Sequence, residues 1–371
     1  MASIRIAIAG IGNCASSLLQ GLQYYHNPLP RNGHTRIPGL LHPRIGPYAP
    51  ADIRVMAAFD VDARKVGKPL ETAVTAAPNC TTQFIKRFPR YGIRVQMGPV
   101  LDGVGSHMRQ YPEERTFVVA KARPVNVANT LKKSGAEILL NYLPVGSQQA
   151  TEAYAEACLA AGVSLINCIP VFIVSDRRWA ARFTARGIPL IGDDVKGQVG
   201  ATILHRTLAR LFLDRGATVD RTYQLNVGGN TDFLNMLNQD RLKMKKISKT
   251  EAVQTALKDP LAQTNISIGP SDYVAWQRDR KVCFLRIEGR GFGDCPIELE
   301  ARLSVEDSPN SAGMIIDAIR CLRLARDRRL RGPLLAVSAW TMKHPPRPMA
   351  EEQARRHIEA FIAGTQRTDA D

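Results

Sequence analysis

The chain has 371 residues, of which 44% are hydrophobic and 23% are charged, proportions that are ordinary for a globular protein of one large domain or two. Its longest apolar runs fall short of the roughly 20 residues that a membrane-spanning helix needs, and its first twelve residues lack the pattern of a signal peptide. The seven cysteines show no spacing typical of a zinc site, which indicates reduced thiols, a cytoplasmic location and no resident metal.

Positive charge is the unusual feature of the composition. The formal net charge is +16, which suits an anionic small substrate and also admits nucleic acid. Six arginines crowd into residues 320–331, but apolar residues recur just before them at helical spacing, so the arginines are predicted to form the solvated face of a helix. Aromatic residues make up only 6% of the chain and form no stacking platform for bases. An anionic small molecule is therefore favoured over nucleic acid as the partner.

The first half of the chain alternates predicted strands with predicted helices. Strands are expected at residues 3–9, 53–59, 138–142, 163–168 and 188–191. Helices are expected at residues 14–24 and 148–161, the second of them capped by Ser147. This order predicts a parallel sheet that is covered by helices on both faces.

The pattern changes after Asp194. A helix is predicted over residues 197–215 and a strand over 223–227, and the S-x-x-E capping box of Ser248 and Glu251 predicts a helix that begins at Lys249. Apolar and charged residues alternate over 297–305, which predicts an antiparallel sheet with one face in water or covered by a partner subunit.

The last sixth of the chain is predicted to return to the first domain. Ser308 and Pro309 indicate the start of a helix over residues 310–326. A strand is expected at 334–340 and a closing helix at 351–363. We therefore expect an α/β domain over 1–197, an inserted α+β domain over 198–312, and a C-terminal segment, 313–371, that completes the first domain.

A glycine-rich turn joins the first strand to the first helix. Its sequence, Gly10-Ile11-Gly12-Asn13-Cys14-Ala15, is G-x-G-x-x-A, in which Gly10 permits the tight turn and Gly12 lets a pyrophosphate approach the backbone. Ala15 allows the helix to pack closely on the strand, and the helix N-terminus favours negative charge. Asp60 ends the next strand, where a carboxylate accepts hydrogen bonds from ribose hydroxyls and repels a 2′-phosphate. These features predict a Rossmann-type domain that binds NAD.

Lysines and aspartates cluster at predicted element ends. Lys245 and Lys249 lie four residues apart, Asp193 and Asp194 follow a strand, and Lys343 follows another. Read alone, each has a structural explanation, because lysines at this spacing usually form a solvated helix face and Asp307 can assist Ser308 at a helix start.

Together these stretches resemble the short, bacterial form of the myo-inositol-1-phosphate synthase family. The matching stretches span nearly the whole chain in family order and include GIGNCASS, AAFDVDARKVG, NYLPVGS, GDDVKGQVGAT, QLNVGGNTDFLN, KKISKTEAV, EDSPNSAG and SAWTMKHPP.

The resemblance implies a closed redox cycle on a hexose 6-phosphate, with one tightly held NAD that is regenerated in each turnover. The C5 hydroxyl of D-glucose 6-phosphate is oxidised, the C6 enolate attacks the C1 aldehyde, and the C5 ketone is reduced again to give 1L-myo-inositol 1-phosphate. Fixed ammonium groups stabilise the negative charge that develops on the enolate and aldolate oxygens.

The resemblance also implies roles for individual residues. Lys245, hydrogen-bonded to Asp194, is expected to transfer the proton of the C5 hydroxyl, and Lys249 and Lys343 to stabilise the oxyanions or hold the phosphate, with Asp307 as a second active-site aspartate. The residues expected to contact NAD are Gly10, Gly12, Asn13, Cys14, Ala15, Asp60, Asp193, Asn230, Thr231 and Asp232. The residues expected to bind the substrate phosphate are Gln198, Thr202 and Arg290.

The family also implies a homotetramer, for which the apolar face of residues 297–305 is a suitable surface. No metal motif is visible, and use of a divalent cation is left open.

Three alternatives stay open. Gly197 stands where serine is usual in the family, and Arg286 and Arg290 stand near the position of a lysine in the long form, so the same chemistry is open to fructose 6-phosphate. That substrate would give a five-membered cyclitol phosphate of the kind used in carbocyclic nucleoside biosynthesis. An ordinary NAD-dependent dehydrogenase would instead release NADH, and a protein that binds nucleic acid through residues 320–331 would not need the lysines.

Overall fold

A parallel sheet is built from the first part of the chain. The computed structural model describes residues 3–26, 37–238, 241, 243–254, 257 and 259–365, without the side chains of 243–246, 248, 249, 270 and 271. The elements of this part are β1 (Ile4–Ala9), α1 (Asn13–Tyr24), β2 (Ile53–Asp60), α2 (Leu70–Ala73), β3 (Gln96–Met97), α3 (Val127–Ser134), β4 (Ile138–Asn141), α4 (Gln148–Ala161), β5 (Ser164–Asn167), α5 (Arg177–Ala185) and β6 (Pro189–Leu190). Five of the strands form a sheet in the order β3-β2-β1-β4-β5, in which every neighbouring pair is parallel. The predicted Rossmann-type α/β fold is confirmed.

The central strand β1 is buried on both of its faces. Ile6 and Ile8 point into one apolar core with Leu18 of α1, while Ala7 and Ala9 point into a second core with residues of α3 and α4. Because successive side chains of a strand point to opposite faces, this division shows helices on both sides of the sheet, as the sequence predicts.

The middle of the chain forms a second, mixed sheet. Its elements are α6 (Ala201–Asp214), β7 (Arg221–Gly228), α7 (Thr231–Asn235), α8 (Lys243–Gln254), β8 (Ile266–Tyr273), β9 (Arg280–Arg290) and β10 (Pro296–Glu306). The strand order is β10-β9-β7-β8, with β9 antiparallel to both of its neighbours and β8 parallel to β7. The antiparallel pairing predicted for residues 297–305 is confirmed.

The tetramer surface proposed from the sequence requires the apolar face of β10 to lie on the outside of this sheet. In the structure, that face lies on the inside. Leu299, Ala301 and Leu303 pack in one core with Leu208 and Phe212 of α6. The expectation for this face is wrong because α6 already covers it. The outer face carries ion pairs that Arg286 makes with Glu298 and Glu300, and three apolar or aromatic side chains, Tyr223, Leu225 and Phe284.

The return of the chain places further helices on the first sheet. These elements are α9 (Asp307–Asp327), β11 (Gly332–Pro333), α10 (Leu335–Thr341) and α11 (Glu351–Ala363). Ile315, Ile316 and Ile319 of α9 pack in the same core as Leu18 and Leu19 of α1, and β11 pairs with β6 in parallel.

Two predicted element assignments are wrong. The helix α8 begins at Lys243, so Ser248 lies inside it and does not cap its start. The strand predicted at residues 334–340 is the helix α10, whose Ala336, Val337 and Ala339 are all buried. A short apolar run that is buried on every side has no amphipathic period that distinguishes a strand from a helix.

The arginine cluster near the C-terminal end of α9 is only partly solvated. Arg320 is fully buried, pairs with Asp317, and donates to the backbone oxygens of His42 and Pro43. Arg328, Arg329 and Arg331 are exposed. The prediction of a solvated arginine face is therefore wrong for Arg320, which binds the returning helix to the loop before β2. Among the described residues, no helix is both long and apolar enough to cross a membrane.

Candidate functional site

A cavity opens at the carboxyl ends of the parallel strands, facing the second sheet. Its walls come from the loop after β1, the ends of β2, β4 and β5, the first turn of α6, and the strands β7 and β9. Ligands of doubly wound α/β folds bind in this crevice. The predicted site residues that line it are Gly10, Gly12, Asn13, Cys14, Asp60, Asp194, Thr202, Asn230, Thr231, Asp232, Asp307 and Lys343.

The glycine turn has the geometry that its motif predicts. Gly10 has φ +90°, and a Cβ there would lie 2.5 Å from the backbone oxygen of Tyr142, so no other residue fits. A Cβ on Gly12 would meet no atom within 4 Å, so the backbone there is open to a ligand. Asp60 accepts a hydrogen bond of 2.7 Å from the backbone N–H of Ile11 and thereby fixes the turn against the end of β2.

A buried lysine supports the same turn from behind. The ammonium of Lys65 is 1% exposed and donates to the backbone oxygen of Ile11 and to Asn79 Oδ1, each at 2.8 Å. It lies 4.0 Å from Asp60. Burial lowers the pKa of Lys65, an effect that the nearby carboxylates of Asp60 and Asp62 oppose. Lys65 follows Asp60 closely in the sequence, but nothing in the pattern distinguishes it from a solvated lysine.

Asp279 joins three segments of the site. It accepts hydrogen bonds from Asn230 Nδ2 and Ser308 Oγ, each at 2.9 Å, and from Asn13 Nδ2 at 3.4 Å. Asn13 belongs to the glycine turn, and Asn230 caps α7 by accepting from the N–H of Asp232. Burial is the main cause that raises the pKa of Asp279 to about 6. The sequence interpretation missed this residue, whose only signal is a carboxylate just before a buried strand.

Two lysine–aspartate pairs face the cavity. Lys343 Nζ lies 2.9 Å from Asp194 Oδ1, and the backbone N–H of Lys343 donates to the backbone oxygen of Asp194. Lys281, at the start of β9, pairs with Asp307 at the start of α9. The sequence interpretation missed Lys281, which is one of several charged residues of β9 and has no local pattern that distinguishes it. The predicted contact of Lys245 with Asp194 involves a side chain outside the described residues, and the structure shows that Asp194 pairs with Lys343.

Two of the predicted catalytic lysines cannot be assigned a contact. Lys245 and Lys249 lie in the helix α8, and their side chains lie outside the described residues. Within the part of the chain that the structure describes, no group of three or more His, Cys, Asp or Glu side chains is arranged to hold a metal ion. All seven cysteines are free thiols, and burial is the main cause that raises the pKa of Cys14, beside the glycine turn, to about 12.

Four predicted site residues do not reach the cavity. Asp193 is fully buried, and its carboxylate accepts from Asn167, Ser175 and the N–H of Val174, so it is a structural group. The remaining three are Ala15, which is buried in the core beneath the turn, Gln198, whose side chain lies beside Gly313 of α9, and Arg290, which pairs with Asp220 and Asp294 at the far end of β9. The predicted contacts of Asp193 with NAD and of Gln198 and Arg290 with phosphate are not supported, because their polar groups are engaged or directed elsewhere.

Comparison with known proteins places this arrangement in a family. The model of the family described as myo-inositol-1-phosphate synthase matches residues 200–308. An inositol-3-phosphate synthase of Mycolicibacterium smegmatis is 52% identical over 365 residues, which cover 97% of this chain and 98% of that protein.

Two solved structures share the fold over nearly the whole chain. The crystal structure of Ari2 is 33% identical, with a TM-score of 0.76 over 97% of this chain and 99% of the other. A myo-inositol-1-phosphate synthase-related protein from Thermotoga maritima is 23% identical, with a TM-score of 0.78 over 97% of this chain and 98% of the other. On these similarities, the chain belongs to the myo-inositol-1-phosphate synthase family.

Proposed function

We propose that this protein cyclises D-glucose 6-phosphate to 1L-myo-inositol 1-phosphate, with NAD as a retained redox cofactor. The observation that carries the proposal is the pairing of Lys343 with Asp194 and of Lys281 with Asp307 on the walls of one cavity that also contains the glycine turn. An ordinary dehydrogenase needs one acid–base group beside the nicotinamide. Two fixed cations suit a reaction that develops negative charge at two oxygens in succession.

The glycine turn and its surroundings fit NAD. The open space at Gly12 and the first turn of α1, which has no side-chain cap, suit a pyrophosphate. Asp60 suits the ribose hydroxyls, and Asn230, Thr231 and Asp232 line the same cavity. Bound there, NAD would supply reversible hydride transfer at the C5 carbon.

The chain's own groups then manage charge and protons. In this proposal the ammonium groups of Lys343 and Lys281 stabilise the enolate and aldolate oxygens, and their aspartates keep them in place without reorganisation during the reaction. Lys245 and Lys249 stay predicted as the proton-transfer and phosphate-binding lysines. The phosphate is assigned to the loop of residues 197–200 and to Thr202, at the N-terminus of α6. The N–H groups of Gln198 and Val199 already donate to Asn310, so the N–H groups of the first turn of α6 and the helix dipole are what favour an anion there.

The product ring tests the proposal. Purified enzyme with NAD and D-glucose 6-phosphate is expected to give a six-membered cyclitol phosphate without a net rise in absorbance at 340 nm, since the hydride returns to the product. A five-membered product from fructose 6-phosphate would favour the paralogous cyclase. Accumulation of NADH would indicate an ordinary dehydrogenase, and turnover of neither sugar would contradict both cyclases.

Variants of the paired lysines test the assignment of roles. Lys343→Ala and Lys281→Ala are expected to lower kcat on the order of 10²–10³-fold while NAD binding is kept, because each removes one stabilising cation. Lys133→Ala, on the exposed face of α3, is the matched control and should leave both quantities unchanged. Loss of NAD binding in both site variants would contradict the assignment.

We further propose a cytoplasmic homotetramer. The free state of all seven thiols is compatible with a reducing compartment. Leu225 and Phe284 are paired directly across β7 and β9 on the outer face of the second sheet, where they are 40% and 43% exposed. An apolar pair at the centre of an open sheet face is a suitable contact between subunits.

A further inference from the structure

Two buried cations share one carboxylate from the C-terminal helix. Lys196 and Arg206 are 1% and 5% exposed, respectively. Lys196 Nζ lies 3.0 Å from Glu351 Oε1, and Arg206 Nη1 lies 2.9 Å from the same oxygen. Glu351 is in the first turn of α11 and comes from a distant part of the chain. The next residue, Glu352, points to solvent, with an exposed fraction of 84%.

In the sequence, these two cations flank the segment assigned to the substrate phosphate. Lys196 precedes the loop of residues 197–200 and lines the cavity. Arg206 lies in the second turn of α6, which follows that loop. Lys196 also donates to the backbone oxygen of Ala339 at 2.7 Å, and Arg206 to that of Met349. The carboxylate of Glu351 therefore connects both ends of the loop–helix segment to the C-terminal part of the chain.

The charge around Lys196 is only partly balanced by protein groups, since Asp194 pairs with Lys343 while Lys196 and Arg206 share the single carboxylate of Glu351. Burial is the main cause that lowers the pKa of Lys196 to about 8, and Arg206 and Lys343 lower it further. Glu351 is the carboxylate that opposes them. Burying a cation in surroundings with a net positive charge is unfavourable in free energy unless a second anion binds nearby. A phosphate dianion bound at the loop supplies that anion.

We propose that Glu351 is a positioning residue, which keeps Lys196 charged and in place beneath the loop of residues 197–200, so that this segment accepts the phosphate dianion of the substrate. The inference deepens the proposed function and rests on its assignment of the phosphate to this loop. Glu351 acts only through Lys196 and Arg206, since it does not line the cavity itself.

Calorimetric binding measurements test this role separately from turnover. The affinities for D-glucose 6-phosphate and for inorganic phosphate are compared between the NAD-loaded wild type, Glu351→Gln and the matched control Glu352→Gln. Glu351→Gln is expected to weaken both affinities by about tenfold or more, the equivalent of one charge-assisted hydrogen bond, while NAD affinity stays unchanged. Glu352→Gln should bind as the wild type does. Unchanged phosphate affinity in folded Glu351→Gln would overturn the proposal.

The pH dependence gives a readout that a purely structural role of Glu351 would not change. Deprotonation of Lys196 should weaken phosphate binding in the wild type as the pH rises through about 8. Without Glu351 the pKa of Lys196 falls, so the loss of affinity should begin at lower pH. The same pH profile in both proteins would contradict the inference.

A second variant covers the case in which Glu351→Gln does not fold. Lys196→Met leaves the pair of Arg206 and Glu351 intact, and we expect it to lose phosphate affinity and the step near pH 8 together. If Lys196→Met keeps both, the proposal is overturned. A wild type that binds the sugar phosphate but does not cyclise it would instead contradict the proposed reaction and leave the role of Glu351 intact.

Discussion

Asp279 connects two segments on the side of the cavity where NAD is proposed to bind. It holds the side chains of Asn13 and Asn230, which come from the glycine turn and from the start of α7. Asn13 in turn accepts from the N–H of Cys80 at 2.7 Å. A single carboxylate therefore fixes side chains from two separate segments of the site.

Replacing Asp279 is expected to weaken NAD binding. Asp279→Asn removes an ionised acceptor of several hydrogen bonds, for which we expect an affinity loss of roughly tenfold or more. The raised pKa of Asp279, about 6, also predicts that wild-type affinity falls as the pH drops through 6, because the carboxyl then takes up a proton. Fluorescence titration with NADH measures both effects. Asp272→Asn, at an exposed position, is the control, and a wild-type affinity that does not change between pH 7 and 5 would refute this role.

Single site residues are predictable from the sequence only where a local pattern constrains them. Gly10, Gly12 and Asp60 follow from the strand–turn–helix context, because backbone geometry in that turn admits few residue types. Asp279 and Lys281 have no such context. Their partners Asn13 and Asp307 lie far away in the sequence, and only the assembled fold brings them together. Asp193 is the opposite case, a residue that the sequence predicts in the site and that the structure buries. Its neighbour Asp194 is the one that faces the cavity.

At the level of secondary-structure elements, most segments are predicted correctly, including the buried strand β1, and the error of element type falls on the buried segment that forms α10. The strands β1, β2 and β10 and the helix α11 have bounds within a residue or two of the prediction. The helix α10 is buried on nearly every side, so its sequence has no period. Burial also explains the wrong prediction for Arg320 of α9. This side chain points into the protein, whereas the sequence pattern predicts every arginine of the helix on the outside.

The buried arginine of α9 should contribute strongly to stability. Arg320→Ala leaves the carboxylate of Asp317 buried without its cation, and we expect the free energy of unfolding to fall by about 3–5 kcal/mol. Burial is the main cause that raises the pKa of Asp317 to about 6 even with Arg320 present, which shows how costly that charge is at this position. Urea unfolding measures the change. Arg331→Ala, at an exposed position nearby, should stay within about 0.5 kcal/mol of the wild type, and equal losses in the two variants would contradict this account.

For the whole molecule, the packing of α6 on β10 determines which face of the second sheet is free for assembly. The inner face is occupied by α6, so the outer face with Leu225 and Phe284 is the one left to a partner. Phe284→Glu puts a charge at its centre and is expected to convert the proposed tetramer into smaller species. Sedimentation velocity measures the result. Leu211→Glu, exposed on α6, is the control and should leave the assembly unchanged, and a tetramer that survives Phe284→Glu would exclude this surface.

The packing of α9 on α1 also determines when the protein can fold during its synthesis. The apolar face of α1, with Leu18 and Leu19, is covered by Ile315, Ile316 and Ile319, which are made some 300 residues later. A nascent chain that has emerged only as far as β10 therefore exposes the core side of its first helix. Domains usually fold as units from the N-terminus during translation, and exposed apolar surface at this stage promotes aggregation. The core of this first sheet is therefore completed only when nearly the whole chain has been made, so its apolar surface stays exposed for most of synthesis.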